Sequence, residues 1–112
     1  MLKYYKAARA ALHNSTNTQK VFAVAEAKGR KVAQATNQYT RSHARQRDYA
    51  RRAGFPHKVY LHAEIAALIK SRYRVDTMYI YRLNRRGDML PSKPCAVCQL
   101  ALKELKIKQV YK

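Results

Sequence analysis

Apolar residues recur every three to four positions at the start of the chain, at Leu2, Tyr5, Ala8, Ala11 and Leu12. That spacing predicts an amphipathic helix over 2–13 with those five side chains facing the core. Asn14-Ser15-Thr16-Asn17 breaks it. Two short apolar runs follow, Val21-Phe22-Ala23-Val24-Ala25 and Lys31-Val32-Ala33-Gln34-Ala35-Thr36, on either side of Lys28-Gly29-Arg30. They predict a β-hairpin with glycine at its turn. From 40 to 53 nearly every position is polar, and Arg41, Arg45, Arg47, Arg51 and Arg52 dominate. The stretch reads equally as a surface helix or as a loop, and Gly54-Phe55-Pro56 ends it.

Beyond it, His62 opens a second helix whose core face is Ile65, Leu68, Ile69 and Tyr73. Thr77-Met78-Tyr79-Ile80-Tyr81 is almost continuously apolar or aromatic, as a strand covered on both faces would be. Residues 84–88 form a loop. Cys95 opens a third helix with Cys98, Ala101, Leu102 and Leu105 along one stripe, and 107–111 reads as a last short strand. Strand pair, helix, strand, helix, strand predicts an α/β fold: a mixed sheet of about four strands flanked by helices.

At 112 residues the chain is one compact domain, 1–112, and 47% hydrophobic content is enough for it to fold. No apolar run approaches the length of about 18 residues that a membrane helix needs. Lys3, Lys6 and Arg9 interrupt the first turns, which argues against a secretory signal. The only two cysteines stand three apart, a spacing that suggests metal or redox chemistry in a reducing, cytoplasmic setting. Charge changes the picture more. Twenty-four Lys and Arg against six Asp and Glu give +18, a field that attracts phosphates. It points to nucleotides or nucleic acid without choosing between them, and a plainly basic, soluble surface would carry the same charge.

The candidate chemistry sits in two clusters, His62-Ala63-Glu64 and Pro94-Cys95-Ala96-Val97-Cys98. A catalytic zinc takes three protein ligands and keeps a fourth position open; His62, Cys95 and Cys98 make three, and Glu64 is left to move protons. Cys95 and Cys98 share one helix face, Pro94 suits a helix start, and a helix N-terminus favours thiolates. Two right-handed crossovers between adjacent parallel strands would lay the two helices side by side and bring His62 to the thiols. A thioredoxin-type site has no use for His62 and Glu64. A closed structural zinc would need a fourth ligand, and His13, His43 and His57 lie at no finger-like spacing.

H-x-E followed by P-C-x-x-C resembles the signature of the zinc nucleobase deaminases, and over about 20–112 the chain is similar to the cytidine deaminase-like superfamily. The resemblance implies a three-layer α/β fold, a Zn2+ cofactor, and hydrolysis of cytosine at C4 (or adenine at C6) with release of ammonia, Glu64 carrying protons. Backbone groups around Ala63, Pro94 and Cys95 would orient the base. A histidine as first ligand is similar to the deoxycytidylate, tRNA-adenosine and polynucleotide branches, where an Asn often contacts the substrate sugar. Asn37 stands at that place, and it serves equally well as a turn or cap residue. Lys93 departs from the residues these branches place before the P-C-x-x-C proline, and the sequence ends just after the fourth strand of the family pattern.

The first expectation for substrate is a cytosine nucleotide of the deoxycytidylate kind, with Arg41, Arg45, Arg47, Arg51 and Lys93 as phosphate contacts. A base within single-stranded DNA or RNA is the alternative, with Tyr49, Phe55 and Tyr60 as stacking platforms. A zinc-stabilised nucleic-acid-binding module without catalysis is the non-enzyme reading. An exposed sheet edge near Tyr111 leads us to expect a homo-oligomer.

Overall fold

A computed structural model describes residues 2–13, 15 and 19–112; apart from Ser15, the expected helix break at 14–17 lies outside them. The hairpin forms as the alternation demands. Strands β1 (Lys20–Ala27) and β2 (Arg30–Thr36) pair antiparallel across Lys28 and Gly29. Both turn residues have positive φ, +52° and +77°, the requirement of a type I′ turn. Strand β3 (Thr77–Leu83) lies antiparallel along the other edge of β1, with Val24 opposite Tyr79. The far edge of β3 is shared: β4 (Met89–Leu90) pairs antiparallel with its end, and β5 (Lys108–Val110) runs parallel to its start.

Period-two alternation splits the core into two halves. Phe22, Val24, Tyr81 and Leu83 face a short 3-10 turn (Leu2–Tyr4) and helix α1 (Tyr5–Leu12), meeting Ala8 and Leu12. Ala23, Ala25, Met78 and Ile80 face the other way, toward α2 (Ala44–Arg52), α3 (Ala63–Lys70) and α4 (Ala96–Glu104). The alanines of β1 and of α3 leave room for a close helix–sheet approach, and α3 packs directly over β1 and β2. Helix, sheet and helices form three layers.

Several expectations need correction. The sheet has five strands rather than about four, because two-residue β4 is too short to show any alternation. Strands β1 and β3 are antiparallel, so the path β2–α3–β3 steps over β1; only β3–α4–β5 joins adjacent parallel strands. Leu2 is 75% exposed and Ala11 is also exposed, because the first turn is 3-10 and Tyr4 takes the inward position. The basic stretch is helical over Ala44–Arg52, capped by His43, whose Nδ1 accepts the Arg45 N–H at 3.0 Å. It is not polar all round, since Gln46, Tyr49 and Ala50 are buried. Leu105, placed on the inner stripe of α4, is exposed.

Candidate metal centre and its pocket

His62 and Cys95 occupy equivalent places: each is the N-cap residue of its helix, on extended backbone, and neither side chain caps that helix. Their imidazole and thiol are free for other work. Buried Gln46 fixes the approach to α3, accepting the His62 N–H at 3.1 Å and donating to the Lys58 carbonyl at 2.9 Å. Buried Ser92 does the same before α4, donating to the Ile80 carbonyl at 2.9 Å and accepting the Lys112 N–H at 3.1 Å. Neither residue was evident in the sequence, since each acts on backbone atoms far along the chain.

The His62 Nδ1 lies 3.4 Å from Cys95 Sγ and 3.3 Å from Cys98 Sγ. All three ligand atoms fall within 4.8 Å of one another, and among the described residues no other such group forms. A tetrahedral ion with Zn–S near 2.3 Å and Zn–N near 2.0–2.1 Å sets N and S about 3.6 Å apart, so the three fit zinc with slight expansion. Three donors leave a tetrahedron one position short, as in catalytic sites. The Cys98 thiol, the imidazole of His62 and the start of α4 together hold Cys95 far below its usual range, at about 3, against the opposing effect of burial. Cys98 is pushed the other way by the neighbouring Cys95 sulfur and by burial. Burial disfavours the His62 imidazolium, but the Cys95 thiolate beside it raises the net value.

Glu64 stands in the first turn of α3 and is buried. Burial pushes its carboxyl up, while its own backbone amide and His62 pull down. A carboxyl raised in this way takes up and gives back protons nearer neutral pH.

Beside the ligands opens a pocket of about 430 Å3, within the ordinary range for small-molecule sites. His62, Ala63, Glu64 and Cys95 line it, together with Asn37 and Lys93. Asn37 is also a strut: its Oδ1 accepts the Val21 N–H at 3.2 Å and its Nδ2 donates to the Gln19 carbonyl at 2.9 Å. Pro94 is buried and outside the lining. Arg41, Arg45, Arg47 and Arg51 are exposed and also outside it. Arg45 lies over the Tyr73 ring, Arg47 donates to Ser42, and Arg51 pairs with Asp48.

Of the three aromatic platforms expected, Tyr49 is buried in the core and cannot stack on a ligand, and half-buried Phe55 packs against His57 and Lys58. Only Tyr60, 53% exposed, lines the pocket, and Tyr39, 44% exposed, joins it. Arg82 and Lys58 supply lining charge that sequence reasoning missed. The signal for Arg82 was present: on β3 it alternates with Ile80, so it shares the face toward the metal ligands.

A family model described as the cytidine and deoxycytidylate deaminase zinc-binding region matches residues 1–112. No curated protein and no solved structure gives a match.

Proposed function

The chain belongs to the cytidine and deoxycytidylate deaminase zinc-binding family, and from that premise we propose that it hydrolyses the exocyclic amine of cytosine within single-stranded DNA or RNA. The observation that carries this reading is the convergence of His62, Cys95 and Cys98 beside an open pocket that His62, Cys95 and Glu64 line. In the reaction one water is consumed: its oxygen becomes the C4 carbonyl, the C4–N bond breaks, and the amine leaves as ammonia. His62, Cys95 and Cys98 would hold zinc, which would supply Lewis-acid activation of water at neutral pH. Glu64 takes the proton released by water and delivers it to ring N3 and then to the leaving amine. Its burial supports that shuttle, because desolvation raises the carboxyl above its usual range. The backbone at Ala63 and Cys95 orients the base, and Asn37, braced against β1, faces the sugar.

The sequence favoured a free cytosine nucleotide. That reading needed only a few phosphate-binding groups, with Arg41, Arg45, Arg47 and Lys93 as candidates; Lys93 lines the pocket, but none of the arginines does. Exposed Tyr39 and Tyr60 beside Lys58, Arg82 and Lys93 instead resemble the stacking and backbone contacts of a single-strand groove. Both free thiols suit a reducing, cytoplasmic setting, and no helix among the described residues is long and apolar enough to cross a membrane.

The test is to incubate zinc-loaded protein with cytidine, deoxycytidine, their monophosphates and single-stranded DNA and RNA oligonucleotides, measuring uracil and ammonia. Uracil in oligonucleotides is expected. Turnover confined to free nucleotides would restore the deoxycytidylate-type reading, and turnover of nothing would leave a zinc-stabilised binding module. Glu64→Ala should retain one zinc and lose roughly 10²–10⁴-fold in rate. Full activity in that variant would remove Glu64 from the mechanism.

A further inference from the structure

A second basic cluster lies on the α1 face of the sheet, away from the metal ligands. Lys6, Arg9 and His13 follow one another at three- and four-residue spacing along α1 and its end, so they share a helix face. Lys20 opens β1, and Arg85 with Arg86 occupies the turn after β3. Arg9, His13, Lys20, Arg85 and Arg86 together line a cavity of about 140 Å3, and Lys6 borders an adjoining depression with Arg9 and His13.

The arrangement is held in place from below. The Tyr5 hydroxyl donates to the Gly87 carbonyl at 2.6 Å, fastening the turn to the helix. The Arg9 guanidinium sits 5.7 Å from the centre of the Tyr5 ring and against Gly87, where a Cβ would stand 2.9 Å from Nε. Gly87 has φ +86°, so a residue without a side chain serves both the turn and the close approach. Among the described residues none of Lys6, Arg9, Lys20, Arg85 and Arg86 is ion-paired, whereas Lys3, Arg51 and Arg52 all are. Asp88, the acid of the same turn, is engaged by the Asn84 amide at 3.2 Å and its backbone is bound within the turn. Like charges held together and left unneutralised repel one another, and a polyanion relieves that repulsion.

The cluster also adjoins the pocket. Gln19 and Arg82 line the pocket, while Lys20 and Leu83, their chain neighbours and paired across β1 and β3, line the basic cavity. The two sites therefore meet at one end of the sheet on opposite faces. One nucleotide bound in the pocket offers phosphate to one site; a strand reaches both.

We propose that the surface formed by α1, Lys20 and the 84–88 turn binds the phosphodiester backbone of single-stranded nucleic acid flanking the base in the pocket. The proposal rests on the strand reading of that pocket. It is tested by fluorescence anisotropy on zinc-loaded protein with a labelled 20-nucleotide strand and a trinucleotide. Arg85→Glu/Arg86→Glu is compared with Arg30→Glu/Lys31→Glu on the exposed β2 edge, which makes the same change of charge elsewhere, and thermal unfolding confirms that both fold. The turn variant should weaken the long strand about tenfold and lower its salt slope by about one unit, the edge variant should change affinity threefold at most, and trinucleotide binding should match in both. Equal weakening by the two variants overturns the proposal in favour of a diffuse field. Full displacement of the strand by millimolar inorganic phosphate at constant ionic strength overturns it in favour of a free-anion site. Loss of binding to phosphatidylglycerol vesicles with the strand unaffected overturns it in favour of a lipid surface. Failure of the strand reading itself shows separately, as no uracil in any oligonucleotide, and the affinity comparison still decides the cluster.

Discussion

Tyr73 stands just beyond α3 with φ +63°, its buried hydroxyl without a hydrogen-bond partner among the described residues, while Arg45 lies 5.3 Å from its ring centre. An unpaired buried hydroxyl costs about 1–3 kcal/mol. Tyr73→Phe keeps the ring and its cation contact, so it should stabilise the fold by about 1 kcal/mol in urea denaturation. A loss of similar size would show that the hydroxyl is satisfied by ordered water. Single residues differ sharply in how far the sequence betrays them. His62, Glu64, Cys95 and Cys98 were legible because their chemistry lies in residue type and short spacing, which the backbone preserves. Gln46 and Ser92 were not, because their value lies in which distant carbonyl they meet. Tyr49 was misjudged for a related reason: with Gln46 and Ala50 it forms the buried face of an otherwise arginine-rich helix.

At the scale of elements, α1 is latched to the sheet through Glu26 on β1. The Lys3 ammonium pairs with its carboxylate at 2.7 Å, the Tyr4 hydroxyl donates to the same oxygen, and the Tyr4 N–H donates to the Tyr81 hydroxyl at 3.0 Å. Burial alone would raise Glu26, but Lys3 and Tyr4 overcome it and hold the carboxyl below its usual range. Its hydrogen bond to Glu26 raises Lys3 in turn. A carboxyl depressed in the folded state stabilises above its unfolded pKa, and that stability is lost as pH falls through the folded value. A raised lysine stabilises below its unfolded pKa, and that is lost as pH rises through the folded value. Lys3→Met should therefore be most destabilising near neutral pH, with the gap from the parent protein closing below about pH 4 as Glu26 protonates. Denaturation at pH 3, 5 and 7 checks this, and an unchanged gap at pH 3 would show that the pair contributes nothing. The helix itself was visible in the sequence, and so were Tyr5, Ala8 and Leu12 of its inner face, but Leu2 and Ala11 were misplaced and Tyr4 was missed, since a 3-10 first turn shifts the spacing. The hairpin, β3 and the two ligand-bearing helices were legible because long alternating or periodic runs leave little choice. Two-residue β4 and the polar α2 had no such run.

At the scale of the molecule, the three layers leave the outer side of β5 without a strand among the described residues, with Tyr111 exposed beside it. Open edges recruit partners, so light scattering should give a multiple of 13.0 kDa; a mass of one chain would mean that short, lysine-bearing β5 protects itself. The order of elements was readable from sequence but the strand directions were not, because nothing local tells whether β3 enters beside β1 or β2. Chelation should lower the unfolding temperature and abolish turnover, both restored by added zinc, since a ligand that binds the folded state stabilises it.

The two vacated N-caps have one further consequence. A helix start normally gains about 0.5–2 kcal/mol from a capping Asp, Asn, Ser or Thr, and at His62 and Cys95 this chain forgoes it twice. On the proposed zinc reading, metal binding and intrinsic robustness thus compete for the same two positions. Cys95→Asp should melt higher than the metal-free parent while losing its response to zinc, so selection for stability alone would remove the proposed zinc ligands first.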